Sequence, residues 1–192
     1  MEVKVWGYLK EYAENKEEIL KAVEEVFESG QLILGNKVQL FEKTYAAYWG
    51  VNYGIGVDNG TNAITLALHS LGITRGDEVI TVANTAIPTV SAIVTAGATP
   101  VFVDINPETY LMDISKIETA ITSKTKCILP VHLYGQCAYT EKIGDICKKY
   151  NLKLIEDNAQ AHGCKYSGRK TGSLGDAAGH SFYPVSYTHL RA

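Results

Sequence analysis

The sequence has little of what would place a protein in a membrane or outside the cell. No apolar run in its 192 residues approaches the roughly 18–20 residues that a helix needs to cross a bilayer. The first segment, MEVKVWGYLKEYAENKEE, is charged throughout and lacks the apolar stretch of a signal peptide. The four cysteines form no CxxC pair, and without a secretion signal their even number does not indicate disulfides. We therefore expect a reduced, cytoplasmic protein without membrane contact.

The sequence also lacks the features that nucleic acids or metal ions would recognise. There are 18 basic and 21 acidic residues, the net charge is -3, and the basic residues are scattered along the chain. Nucleic-acid binding requires a concentrated positive surface, which this distribution does not predict. No HExxH or comparable set of histidines, cysteines and carboxylates has metal-ligand spacing. We expect neither a nucleic-acid partner nor a metal site.

The order of the apolar segments predicts an α/β protein. Amphipathic helices at 16–29 and 37–49 precede a regular alternation of strands and helices. Several of these strands are runs of apolar residues, which is typical of strands buried on both faces of a mostly parallel sheet. Helical crossovers between them predict an open, doubly wound sheet. The predicted strands are 53–57, 78–82, 100–103, 126–131, 153–156 and 178–182, and the helices between them are 61–71, 87–95, 114–122 and 140–150.

The first candidate site is Asn59-Gly60-Thr61, which lies between a predicted strand and a predicted helix. Ligands of such sheets bind outside the carboxyl ends of the strands. Free N–H groups at the start of a helix favour an anion, and Gly60 allows a close approach of the ligand. An ordinary helix N-cap would equally explain Asn and Thr here. The incomplete pattern Gly54-x-Gly56 falls inside the predicted strand, which argues against a dinucleotide-binding oxidoreductase.

Two further candidates follow the predicted strand 153–156. Asp157 is expected to be partly desolvated there and to need a cationic partner, such as a protonated pyridine nitrogen. A helix N-cap or an internal salt bridge would account for it as well. Gln160 stands three residues later, which is the spacing of a capping box but also suits a contact with a ring substituent of a cofactor.

Six stretches carry the most specific pattern in the sequence, and they are SGQLILGNKVQLFEKTYAAYWGV, NGTNAITLALHSLGITRGDEVIT, GATPVFVDINPETY, KTKCILPVHLYGQ, IEDNAQAHG and GSLGDAAGHSFYP. Together they resemble the DegT/StrS-type sugar aminotransferases, a branch of the fold-type-I pyridoxal-phosphate enzymes. The resemblance covers about residue 16 to Pro184, and the order and spacing of the stretches both match. It implies that residues 1–184 are a truncated N-terminal segment and large cofactor-binding domain, without the C-terminal small domain.

The resemblance implies a role for each matching position. Gly60 and Thr61 match the residues that bind the phosphate of pyridoxal 5'-phosphate, and Ser181 matches a serine that also holds it. Asp157 matches the aspartate that pairs with the pyridine nitrogen. Gln160 matches the residue that contacts the ring hydroxyl. Only Ser181 was not already a candidate from its position in the chain.

The resemblance also implies the reaction. An amino group, from glutamate as the donor, would pass to the keto group at the 3- or 4-position of a nucleotide-linked deoxysugar, and the intact protein would be a homodimer. Ala86 falls where many members carry an aromatic ring that stacks on the cofactor. An alanine is expected to weaken that contact and widen the pocket.

The end of the sequence departs from the family. Members carry the Schiff-base lysine five residues after the serine, at the position that Ser186 occupies here. Residues 185–192 match nothing in the family and are predicted to be non-native, so no catalytic residue is present and the chain should be inactive. A lysine-less regulator that keeps the cofactor pocket is an alternative. A sugar dehydratase relative is another, although it would carry histidine at 186.

Overall fold

The computed structural model describes residues 8–183. The chain forms two compact units, residues 1–56 and 57–192. In the first unit, helix α1 spans Tyr8–Ser29 and helix α2 spans Asn36–Trp49. Gly50 ends α2 in the left-handed conformation, with a φ of 71° that glycine adopts without strain. Phe41, Tyr45 and Trp49 line one side of α2 at helical spacing: the rings of Phe41 and Tyr45 stack at 5.2 Å, and those of Tyr45 and Trp49 meet edge to face at 5.7 Å.

The strand predicted at 53–57 is wrong: these residues form no regular structure. Two of the five residues are glycines, which give a strand no side chains to pack. Tyr53 and Ile55 are 83% and 76% exposed. The Gly56 N–H donates to the Glu42 carboxylate at 2.7 Å instead of to a neighbouring strand.

The second unit contains the predicted parallel sheet. The strands are β1 Glu78–Val82, β2 Thr99–Val103, β3 Thr125–Ile128, β4 Lys153–Asp157, β5 Lys165–Tyr166, β6 Arg169–Lys170 and β7 Ala177–Gly179. Five of them form the sheet in the order β2-β1-β3-β4-β7, and every neighbouring pair is parallel. The other two, β5 and β6, form a separate hairpin that was not predicted. The helices are α3 Gly60–Ser70, α4 Ile87–Thr95, α5 Ile117–Ala120 and α6 Glu141–Tyr150, with 3₁₀ turns at Ile114–Lys116 and Leu133–Gly135.

The strand order makes this sheet doubly wound. The chain leaves β1 toward β2 on one side and then returns past β1 to β3 and β4 on the other. Because parallel crossovers are right-handed, helix α4 covers one face of the sheet and α5 and α6 cover the other. Helix α3 packs against α4. The predicted fold class is therefore confirmed.

The sheet interior is apolar because its central strands are covered on both faces. Ile80, Ile128 and Ile155 have no exposed surface. Strand β3 is shorter than predicted and ends at Ile128. Pro130 has no N–H with which to continue the ladder, although its carbonyl still accepts the Asp157 N–H at 3.0 Å. Within residues 8–183, no helix has both the length and the apolar character to cross a membrane.

Candidate functional site

The carboxylate of Asp157 lies at the carboxyl edge of the sheet, at the end of β4. Its Oδ2 accepts a hydrogen bond from the Thr89 hydroxyl at 2.6 Å, and its Oδ1 accepts one from the Ala159 N–H at 3.1 Å. The Thr85 and Thr89 hydroxyls lie 2.7 Å apart. The first turn of α4 thus supports the carboxylate from the side of the sheet opposite to α5 and α6.

The Asp157 carboxylate has no cationic side chain beside it among residues 8–183. Its side chain is buried, and burial raises its pKa, although the bonds from Thr89 and Ala159 work in the opposite direction. No helix begins at Asp157, which removes the N-cap alternative. No lysine, arginine or histidine of residues 8–183 lies within ion-pair distance of it, which removes the salt-bridge alternative. A cationic ligand would satisfy this carboxylate.

The start of α3 has the polarity that an anion requires. The Asn59 side chain caps the helix by accepting the Asn62 N–H at 2.8 Å, and its carbonyl accepts the Ala63 N–H at 3.0 Å. Helix geometry gives the preceding N–H groups, those of Gly60 and Thr61, no intrahelical acceptor. The N-cap and anion-site interpretations of this segment are therefore compatible.

Ser181 lies against the start of α3. A β-carbon on Gly60 would be 3.2 Å from the Ser181 Cβ, which is closer than side chains ordinarily pack, and 3.6 Å from its Oγ, so glycine allows Ser181 to lie close to the helix start. Asp157 pairs in register with Gly179 on β7, and Ser181 follows two residues later. Gly60, Asp157 and Ser181 therefore belong to one edge of the sheet.

The Gln160 side chain is held by the backbone of another loop. Its Oε1 accepts a hydrogen bond from the Tyr134 N–H at 3.0 Å. No helix starts at Asp157, so the two residues do not form a capping box. The carbonyl oxygen of the Gln160 amide is thus already used inside the protein.

Ala86 is the N-cap residue of α4 and is exposed. Its small side chain borders a cavity of about 470 Å³. The cavity wall continues along one side of α4 through Ile87, Val90 and Val94. Space for a larger side chain at position 86 is therefore available on this surface.

Glu156 on β4 and His132 in the loop after β3 form a buried polar cluster, and neither side chain is exposed to solvent. The Glu156 carboxylate accepts hydrogen bonds from His132 Nε2 at 2.8 Å and from the N–H groups of Gly172, Leu174 and Gly175 at 2.7–2.8 Å. Burial alone would raise the pKa of Glu156, but His132 and the loop N–H groups outweigh it, so its pKa lies below its ordinary value. This carboxylate ties β4 to the loop that leads into β7.

The histidines near the end of β7 are neutral. Burial lowers the pKa of His180 to about 3 and that of His162 to about 4. Their rings pack 5.6 Å apart, and His162 also packs against Phe182 at 5.4 Å. Within residues 8–183, no three histidine, cysteine or carboxylate side chains are grouped as a metal site would need.

Reasoning from the residues did not identify Thr89, His132 or Glu156. Thr89 is 68 positions from Asp157 in the chain, and His132 is 24 from Glu156. The available signal was a charged residue inside the apolar run Leu154-Ile155-Glu156. A carboxylate at such a position requires buried donors.

Residues 13–187 match the DegT/DnrJ/EryC1/StrS aminotransferase family, and the chain belongs to this family. A transaminase of Micromonospora megalomicea subsp. nigra, named for dTDP-3-amino-3,4,6-trideoxy-alpha-D-glucose, is 54% identical over 94% of the chain and 48% of its own length. A pleiotropic regulatory protein of Geobacillus stearothermophilus is 47% identical over 96% of the chain and 50% of its own length. The chain spans about half the length of these curated relatives.

Solved structures of family members have the same fold. DesV of S. venezuelae, in complex with a ketimine intermediate, superimposes with a TM-score of 0.92 at 38% identity, covering 95% of this chain and 49% of DesV. A putative sugar aminotransferase of Streptococcus pneumoniae, in its PLP-form, gives a TM-score of 0.82 at 32% identity, covering 86% of this chain and 46% of the other. The prediction of an aminotransferase fold is confirmed.

Proposed function

We propose that the complete protein to which this chain belongs is a pyridoxal-phosphate-dependent aminotransferase. It transfers an amino group from glutamate to a keto group on a nucleotide-linked deoxysugar. The buried Asp157 carboxylate without a cation, on the same sheet edge as the Gly60–Ser181 pair, is the observation that supports this most strongly. Asp157 suits a cation, and the start of α3 beside Ser181 suits an anion. A phosphorylated pyridine carries both.

The residues of the edge suit the two ends of pyridoxal 5'-phosphate. Gly60 and Thr61, with the unused N–H groups of α3, and Ser181, with its hydroxyl, would hold the phosphate. Asp157 would keep a proton on the pyridine nitrogen, and Gln160 would donate to the ring hydroxyl. When bound, the cofactor supplies an electron sink for negative charge that develops on carbon.

The sugar carbon that receives the amino group is C3 in this proposal. The relative with 54% identity is named as a transaminase of a 3-amino sugar linked to dTDP. A dTDP-linked 3-keto-deoxysugar is therefore the substrate class to test first. The corresponding 4-keto sugar is the comparison substrate that tests the choice of carbon.

The chain itself lacks a residue that this chemistry needs. Ser186 lies outside the described residues, and serine has no amine with which to bind an aldehyde or to move a proton between carbon atoms. The family match extends to residue 187, so the expectation that nothing after Pro184 matches the family is wrong for residues 185–187, and a non-native origin of the tail stays a prediction. We expect no turnover from the 192 residues alone and a homodimer from the complete protein.

The experiment is to express the complete reading frame from the source genome. We expect a lysine at position 186 and glutamate-dependent amination of the dTDP-linked 3-keto sugar. The 192-residue chain and a lysine-to-alanine variant of the complete protein are the controls, and both should be inactive. Turnover by the 192-residue chain would refute the requirement for this lysine.

A regulator is the second candidate, and the relative of 47% identity named as a pleiotropic regulatory protein favours it. In that case the complete protein would lack the lysine but would still bind the cofactor. Absence of amination together with saturable cofactor binding would support this alternative over the enzyme.

A further inference from the structure

Both ring nitrogens of His132 form hydrogen bonds within the protein. Nδ1 accepts the Ala138 N–H at 2.9 Å, so it carries no proton, and Nε2–H must then donate to Glu156 at 2.8 Å. This pattern defines one neutral tautomer. The ring thereby connects β4 to the far end of the loop 132–138.

The loop that His132 closes contains a strained residue. Tyr134 has a φ of 57°, a left-handed conformation that is unfavourable for a residue with a side chain. Strain of this kind persists only where the surrounding structure enforces it. In this conformation the Tyr134 N–H donates to the Gln160 Oε1 at 3.0 Å.

We propose that His132 is a positioning residue for the cofactor site, because its bond to Ala138 keeps the Tyr134 N–H on the Gln160 oxygen. With that oxygen occupied, the amide of Gln160 presents only its N–H groups to a ligand. The ring oxygen of the cofactor is thereby met by a donor. This inference rests on the proposed function for the identity of the ligand, whereas the loop closure does not depend on it.

Two substitutions separate the two bonds of His132. The oxygen of asparagine reaches the place of Nδ1, and the amide nitrogen of glutamine reaches the place of Nε2. His132→Asn therefore keeps an acceptor for Ala138, and His132→Gln keeps a donor for Glu156. Only His132→Gln should release the loop.

Hydrogen exchange in the 192-residue chain tests loop closure without any ligand. We expect the Tyr134 amide to exchange about tenfold faster in His132→Gln, the size expected for loss of one hydrogen bond, and to stay near the wild-type rate in His132→Asn. Amides of β1 report the global stability of each variant. Equal Tyr134 rates in the two variants, after correction for β1, would overturn the proposal.

A double-mutant cycle tests the link to the ligand. Pyridoxamine 5'-phosphate is the probe, because it needs no lysine to bind. We expect His132→Gln to weaken binding about tenfold in the wild-type background and not at all in a Gln160→Ala background. Equal weakening in both backgrounds would show a merely structural role and refute the inference.

An Asp157→Asn variant separates this failure from failure of the proposed function. If Asp157→Asn weakens binding but the effects of His132→Gln and Gln160→Ala are additive, the assignment of the cofactor site is retained and only the role of His132 is wrong. If the wild-type chain binds no pyridoxamine 5'-phosphate, the proposed function is wrong, and the role of Gln160 is refuted with it.

Discussion

The hydroxyl of Thr89 and the carboxylate of Asp157 are joined by a 2.6 Å hydrogen bond that connects the first turn of α4 with the end of β4. Burial raises the pKa of Asp157, and this bond offsets part of that rise. Since the carboxylate must be ionised to pair with a cation, this hydroxyl widens the pH range in which the site can bind one.

We predict that Thr89→Val weakens binding of pyridoxamine 5'-phosphate and moves its pH dependence. Valine has a similar shape but no hydroxyl, so the pKa of Asp157 rises further. Binding is lost as the pH falls through that pKa, and in the variant the loss should begin at a higher pH. Titrations at several pH values measure it, and Thr89→Ser, which keeps the hydroxyl, should resemble the wild type. An unchanged pH profile in Thr89→Val would contradict the prediction.

We predict that Glu156→Gln lowers the free energy of unfolding by about 3 kcal/mol at neutral pH. Glutamine cannot accept the four hydrogen bonds that the buried carboxylate accepts. Urea unfolding monitored by circular dichroism measures the loss. Glu118→Gln disturbs only exposed contacts, with Lys149 and Tyr150, and is the matched control, with little loss expected. Similar stability of the two variants would be inconsistent with this role of Glu156.

The same substitution should change the response to acid. The folded-state pKa of Glu156 lies below its ordinary value of 4.5. Its stabilising contribution is therefore complete above that value and is lost as the pH falls through the folded-state pKa. The variant should show a flatter stability profile between neutral pH and that acid range. If the stability of the wild type and of Glu156→Gln changed with pH in the same way, the assignment of a charged Glu156 would be contradicted.

We predict that Gly60→Ala weakens binding of pyridoxamine 5'-phosphate about tenfold, the size expected for loss of one hydrogen bond. The new methyl group would stand 3.2 Å from the Ser181 Cβ, which is too close for ordinary packing, so Ser181 must shift away from the helix start where we place the phosphate. Pyridoxamine without its phosphate is the control ligand. If the substitution weakens both ligands equally, the phosphate does not lie at Gly60.

We predict that Ala86→Phe strengthens binding of pyridoxamine 5'-phosphate several-fold. Stacking of aromatic rings contributes about 1 kcal/mol beyond burial, and the extended backbone of Ala86, with φ of -72° and ψ of 149°, accepts any side chain. The control, Ile87→Phe, adds the same ring one position away, where Ile87 is 81% exposed. An equal gain from both variants would indicate nonspecific stacking.

The elements that sequence predicts well are those with local signals. Strand β1 and helix α4 lie where they were predicted, because a buried apolar run follows the turn at 75–77 and Pro88 suits a first helical turn. The hairpin at 165–170 is polar and has no alternation, so nothing in its sequence indicated strands. Family resemblance supplied Ser181, which residue patterns alone did not.

The contacts that hold the candidate site come from segments far apart in sequence. Asp157 could be selected because it ends a predicted strand, but its partner Thr89 belongs to α4, the helix that follows β1. Likewise, the pairing of His132 with Glu156 depends on two neighbouring strands in register. Periodicity locates strands and helices, whereas such pairs require the topology of the sheet.

The most direct test of the central claim is the affinity of the 192-residue chain for pyridoxamine 5'-phosphate, measured by calorimetry for the wild type and for Asp157→Asn. We predict saturable binding of one ligand per chain, and a loss of tenfold or more in the variant, as expected for a hydrogen bond to a charged group. Circular dichroism should show the same fold for both proteins. Equal affinities of the two proteins, or no binding by the wild type, would contradict the assignment of Asp157 as the partner of the pyridine nitrogen.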